Sequence, residues 1–302
     1  METSKPNSLR QWMIEHPMIS FVVMAYTFSW IFITPYILWE WHILSGDWTW
    51  IFTVKAYAGP FLAAYIMSRL IDGQAGAKNF WHKVWQWREG WQWYAFIFLV
   101  FPALYFLGLA FIPGALANFP SLTTRDLISI LPTFALVMFG GGPFQEEPGW
   151  RGFLQPRLME RFRESRYPAL KASLVVGVVW AFWHLPDFLT SQQHGGPDAG
   201  LRPYYTQLPT FLVMVTLMSL IFTWLYTRTH GSVFMAILLH TVVNVLDVTI
   251  TRRYTLPAVA DSGLSRLIVW GGLAILILIL TRGRLGYESG QDEFLSQHDL
   301  SA

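Results

Sequence analysis

Leu208-Pro-Thr-Phe-Leu-Val-Met-Val-Thr-Leu-Met-Ser-Leu-Ile-Phe-Thr-Trp-Leu-Tyr-Thr-Arg228 carries no charged side chain before its last residue. An α-helix needs about 20 mostly apolar residues to cross the hydrocarbon core of a bilayer. This run has that length and that composition. Working outward from it, similar runs occur at 18–39, 50–70, 93–112, 127–155, 170–189, 231–250 and 264–281. The sequence therefore predicts an all-α polytopic membrane protein of about eight transmembrane helices. Composition agrees: of 302 residues 53% are apolar and 13% charged, against about a quarter charged in soluble domains. The first run lacks a small-residue cleavage pattern after it and reads as a retained span rather than a signal peptide.

The expected organisation is a cytoplasmic segment at 1–17, a membrane domain at 18–285 and a polar, disordered tail at 286–302. Lys and Arg in the loops orient the spans, because cytoplasmic loops are enriched in both. With the N-terminus inside, fifteen of the 21 basic residues fall on inner segments and five outside; Lys55 lies within a span. That split predicts both termini in the cytoplasm, in a multi-pass protein of the cell membrane. A net charge of +2 gives no argument for a nucleic-acid partner. The absence of cysteine removes disulfides, thiolate metal sites and a cysteine nucleophile. The Trp-dense stretch Phe80-Trp-His-Lys-Val-Trp-Gln-Trp-Arg-Glu-Gly-Trp-Gln-Trp-Tyr94 reads as a helix lying in the lipid interface, where Trp and cationic side chains accumulate.

Ionisable groups inside spans are costly and mark functional sites by default. Span four contains Gly140-Gly-Gly-Pro-Phe-Gln-Glu-Glu-Pro-Gly-Trp-Arg-Gly152, span five Trp180-Ala-Phe-Trp-His-Leu-Pro186, and span seven His240-Thr-Val-Val-Asn244. His240 and Asn244 are four apart and share a helix face; Glu147 and Arg151 have the same spacing if the helix is continuous. That pair would neutralise one carboxylate and leave Glu146 free. Pro148 either interrupts the helix or starts it, and in both cases disturbs the backbone beside the carboxylates. Counted from the inner boundaries at 1.5 Å per residue, Glu146, His184 and His240 lie about 16, 20 and 14 Å deep. One shared pocket, open to the cytoplasm, fits those depths. Asp247 reads as structure in the outer half of its helix. His16, His42, His82, His194, His230 and His298 sit in or near loops and termini and receive no role.

At these residues the chain resembles the CAAX protease and bacteriocin-processing (CPBP) family of intramembrane proteases, which includes the type II CAAX prenyl endopeptidases. The first family motif, Glu-Glu-x-x-x-Arg, corresponds to Glu146, Glu147 and Arg151. The second, Phe-x-x-x-His, corresponds to Trp180 and His184, with Trp where the family has Phe, a difference read as packing. The third, His-x-x-x-Asn, corresponds to His240 and Asn244. The resemblance spans about 127–250. It implies an endopeptidase acting on membrane-associated or lipidated peptides, with membrane lipid as its other partner. It further implies that Glu146 and His184 activate water, that His240 and Asn244 hold the oxyanion, and that Glu147 and Arg151 support them from behind.

Elementary chemistry accepts those roles, since peptide hydrolysis needs a base, a held water and donors aimed at the developing charge. No His-Glu-x-x-His or Gly-x-Ser-x-Gly occurs, and Gly46-Asp47 falls in an outer loop, against an intramembrane aspartyl site. No cofactor is firmly implied. Glu146, His184 and His240 would suit a zinc ion with one open position, and a water-activating Glu–His pair without metal is equally allowed. Two other functions fit the same polar residues: a non-catalytic membrane scaffold or immunity factor of this fold, and a proton-coupled transporter.

Overall fold

The computed structural model describes residues 8–191, 195–255 and 264–288. Among them all regular structure is helical. Five helices are long and apolar enough to cross a membrane: Pro17–Glu40, Trp91–Ala110, Pro168–Leu189, Leu208–Arg228 and Val233–Arg253. A sixth span arises if Thr124–Gly140 and Pro143–Arg161, which meet at a bend of 41°, are taken together. The polytopic all-α reading holds, with five or six candidate spans among the described residues where eight are expected.

Two of the expected spans, 50–70 and 264–281, are not among these helices. The run at 50–70 is broken: Ile51–Ala56 passes through a π-helical turn, Tyr57–Phe61, into Leu62–Val84. Gly59 leaves helical geometry there, with ψ at −105°, just before Pro60, whose ring opposes a regular helix on its N-terminal side. Gly59 also lies against Pro17–Glu40 so closely that an added Cβ would stand 1.8 Å from Ser29 Oγ. At 264–281 the helix runs Leu264–Leu280, and residues 256–263 before it lie outside the described ones. The Trp-rich stretch is not one interfacial helix either. It is the end of Leu62–Val84, a non-helical link, and the start of the helix at Trp91; Trp81, Trp85, Trp87 and Trp91 are exposed.

Local sequence explains the helix starts. Proline stands in the first turn of Pro17–Glu40, Pro143–Gly149, Pro168–Trp183 and Leu208–Arg228, where its fixed φ suits the helix and its missing N–H costs nothing. Ser232 caps Val233–Thr249 by accepting from Met235 N at 3.2 Å. Pro168–Trp183 and Leu208–Arg228 form the most extensive helix pair. Their approach is close because Gly177 faces Thr216 and Ser173 bonds Ser219 across the seam, the small-residue packing that joins helices in lipid. The first span ties in through Trp30 Nε1, which donates to Trp183 O at 3.0 Å.

Of the expected segments, 1–7 and 289–302 lie outside the described residues, as do His194 and His298.

The helix carrying Glu146 is seated by Gly149, where a Cβ would meet Pro60 Cβ at 2.6 Å and Pro60 O at 2.7 Å. Gly149→Ala must therefore separate two backbones. The expected result is a loss of about 1–3 kcal/mol, read as a lower melting temperature of the detergent-solubilised protein.

Candidate functional site

The bend between the fourth-span helices is built by Gly140-Gly141-Gly142. Gly142 has φ of +110°, a conformation that suits glycine. A Cβ there would stand 2.6 Å from Glu146 Oε1, so the glycine also makes room for the carboxylate. Gln145 closes the bend: its Oε1 accepts from Gly142 N at 2.5 Å, and its Nε2 donates to Phe139 O at 3.1 Å. Pro148 does not begin a helix. It sits inside Pro143–Gly149, and a π-helical turn, Trp150–Leu154, follows. The irregular backbone beside the carboxylates is thus present, and it is enclosed in protein as membrane-depth irregularity must be.

Glu147 and Arg151 form an ion pair with no solvent exposure, Arg151 Nη1 lying 3.1 Å from Glu147 Oε2. The guanidinium carbon sits 4.4 Å from the Trp180 ring and 4.5 Å from the Phe222 ring. Glu147 Oε1 also lies 2.7 Å from His240 Nδ1. A carboxylate only accepts, so this nitrogen carries the hydrogen. Glu146 remains outside the pair. Its Oε2 accepts from Trp180 Nε1 at 2.6 Å and lies 3.8 Å from His184 Nε2. The Trp180 difference from the family pattern is therefore more than packing, since phenylalanine has no donor to offer this carboxylate. Asn244 Nδ2 donates to Gly141 O at 3.0 Å, across the bend.

Glu146, His184, His240 and Asn244 all line one cavity of about 380 Å³. Asp247 also lines it and pairs with Arg252 at 3.1 Å, so it belongs to the cavity wall as well as to its helix. Two further wall residues, Lys55 and Asp187, received no role from the sequence. Asp187 follows His184 by three residues, a spacing that signals contact on a continued helix; it lies within the 170–189 run, one residue past the Trp180–Pro186 motif. Asp47 lies away from the site, in the 41–50 loop. Its carboxylate accepts from Thr49 N and Oγ1, and these bonds hold its pKa below the usual carboxylate value.

No group of three or more His, Asp or Glu side chains suited to an ion occurs among the described residues. His240 Nδ1 and His184 Nδ1 both face carboxylates.

Helix ends place the cavity. Phe211 and Met214 come from the start of Leu208–Arg228, Asn244 and Val248 from the end of Val233–Thr249, and His184 from the end of Pro168–Trp183. These ends lie opposite the basic loop 157–171.

Residues 128–246 match the family model described as Type II CAAX prenyl endopeptidase Rce1-like. CAAX prenyl protease 2 of Methanococcus maripaludis is 29% identical over 156 residues, covering 49% of this chain and 53% of that protein. The chain thus spans about half the length of the curated relative it matches. The matched segment contains all three motifs, and the resemblance stated on them is borne out.

The absence of cysteine makes the placement of the cavity testable. Arg163 and Arg252 are both exposed. Single Arg163→Cys and Arg252→Cys variants in sealed vesicles should react with a membrane-impermeant maleimide from opposite sides. Labelling of both from one side would contradict the cavity placement.

Proposed function

We propose, from the premise that residues 128–246 are an Rce1-like core, that this chain is an intramembrane endopeptidase acting on membrane-associated, CAAX-type prenylated peptides. One observation carries the reading: a carboxylate, two imidazoles and a carboxamide from three separate segments face a single cavity inside an apolar bundle. Groups of that kind are expensive in a membrane unless chemistry or transport uses them.

In this reading Glu146 and His184 act on water together. Their facing atoms, Oε2 and Nε2, are 3.8 Å apart, too far for a direct hydrogen bond, and both are turned to the same space. A water held against them loses a proton to the pair as its oxygen attacks the scissile carbonyl carbon. Trp180 keeps Glu146 in place through its indole N–H. The oxyanion forms toward Asn244 and His240. Asn244 spends one N–H on Gly141 O and has a second to give. His240 donates through Nε2, and because Nδ1 already carries a hydrogen toward Glu147, that donation uses the imidazolium form. Glu147, neutralised by Arg151, stabilises that cation. The proton taken from water then passes to the leaving amine.

The apolar cavity lining, including Phe211, Met214 and Met218, suits a lipidated or membrane-anchored substrate. We assign the chain to the cell membrane with both termini in the cytoplasm, a membrane domain over 18–285 and flanking segments at 1–17 and 286–302.

Purified protein in liposomes should cleave a prenylated peptide, with new termini found by mass spectrometry. Glu146→Gln should stay folded and lose cleavage altogether. Trp180→Phe should keep its place between Arg151 and His240 and lose one hydrogen bond to a charged group, worth about 1.5–3 kcal/mol; the rate should fall about 10- to 100-fold. Full cleavage by Glu146→Gln would end the assignment.

A further inference from the structure

A second carboxylate–imidazole contact stands in the cavity wall, and the three motifs do not include its carboxylate. His184 Nδ1 lies 2.7 Å from Asp187 Oδ2. The other oxygen of Asp187 takes the ammonium of Lys55, 132 residues away in sequence. Lys55 and Asp187 are both buried, and the Lys55 ammonium also sits 4.8 Å from the Trp183 ring. Asp187 is held from its backbone too: its N–H donates to His184 O and its carbonyl accepts from Thr190, both at 2.9 Å.

The order of groups repeats what lies across the cavity. Arg151, Glu147 and His240 Nδ1 form one series of cation, carboxylate and imidazole; Lys55, Asp187 and His184 Nδ1 form another. In each, the carboxylate only accepts, so the hydrogen of the ring rests on Nδ1. A carboxylate fixed by a cation fixes in turn the tautomer and the rotation of the ring it holds. For His184 this leaves Nε2 with its lone pair, on the side of Glu146.

The geometry points to Asp187 as a positioning residue for His184, anchored by Lys55, which holds His184 Nε2 unprotonated and aimed at the space before Glu146. The inference rests on the proposed reading in one respect: it is the hydrolytic role of His184 that gives the tautomer its use. A buried pair that only joined two segments would stabilise the fold and leave the ring indifferent to its proton.

Histidine tautomers separate the two. The full-length protein, labelled with ¹⁵N-histidine and held in nanodiscs, gives the His184 signals by comparison with His184→Gln. The wild type should show a protonated Nδ1 and an unprotonated Nε2; the reverse overturns the inference without any variant. The double variant Lys55→Met/Asp187→Leu carries no uncompensated buried charge. In it, His184 should show mixed tautomers and kcat should fall about tenfold or more, with KM little changed. Asp187→Glu, with Lys55 retained, keeps a carboxylate that can only accept from Nδ1 and should retain the wild-type tautomer. A wild-type tautomer in the Leu-containing double variant would overturn the positioning role, whatever its activity. Tautomers that shift as expected in a protein that cleaves no peptide would leave the positioning role standing and remove the peptidase reading.

Discussion

A guanidinium enclosed on every side has to be neutralised, and in this protein that requirement organises the centre of the bundle. Arg151 has no solvent exposure, its carboxylate partner is one helical turn away, and two aromatic rings cover its remaining surface. Breaking such a pair by removing one partner costs about 3–5 kcal/mol. Trp180 and Phe222 come from two other helices, and Glu147 reaches a third through His240. The position of His240 is thus inherited from the need to keep one cation satisfied. Trp180 extends the same arrangement to Glu146, because one indole covers the guanidinium with its face and donates to the free carboxylate from its edge.

The backbone around this centre is irregular wherever the site requires it. The glycine run at 140–142 bends the fourth span, brings Glu146 up against the turn, and exposes the Gly141 carbonyl that Asn244 takes. The π-helical turn after Gly149 and the break at Gly59–Pro60 meet each other across the Gly149–Pro60 contact. Glu146 is therefore seated by joints in two segments, and the apolar surround does the remaining work of closing water out of everything except the cavity.

Much of this could be read in the chain before any coordinates, and for a clear reason. Charge in an apolar run is conspicuous, so Glu146, Glu147, Arg151, His184, His240 and Asn244 all announced themselves, and i,i+4 spacing paired Glu147 with Arg151. What could not be read depended on partners far apart in sequence. Lys55 was visible as an intramembrane cation but had no visible carboxylate, because Asp187 joins it only through tertiary structure. Trp180 was taken for packing because an indole N–H has value only when an acceptor stands beside it. At 50–70 hydropathy is blind to the break at Gly59–Pro60 and to the close approach of Gly59 to Ser29.

The two buried ion pairs differ in when they can exist during synthesis. Glu147 and Arg151 lie on one helix and neutralise each other as soon as that helix forms, so the nascent fourth span is delivered to the bilayer as an internal dipole. Lys55 emerges long before Asp187 has been translated. Until then its ammonium must reach water along its own four-carbon stem, near the end of the short helix Ile51–Ala56. Completion of the fifth span is what retires that charge, and with it the second segment is drawn into the bundle. The wall of the cavity is consequently among the last parts of the molecule to assemble.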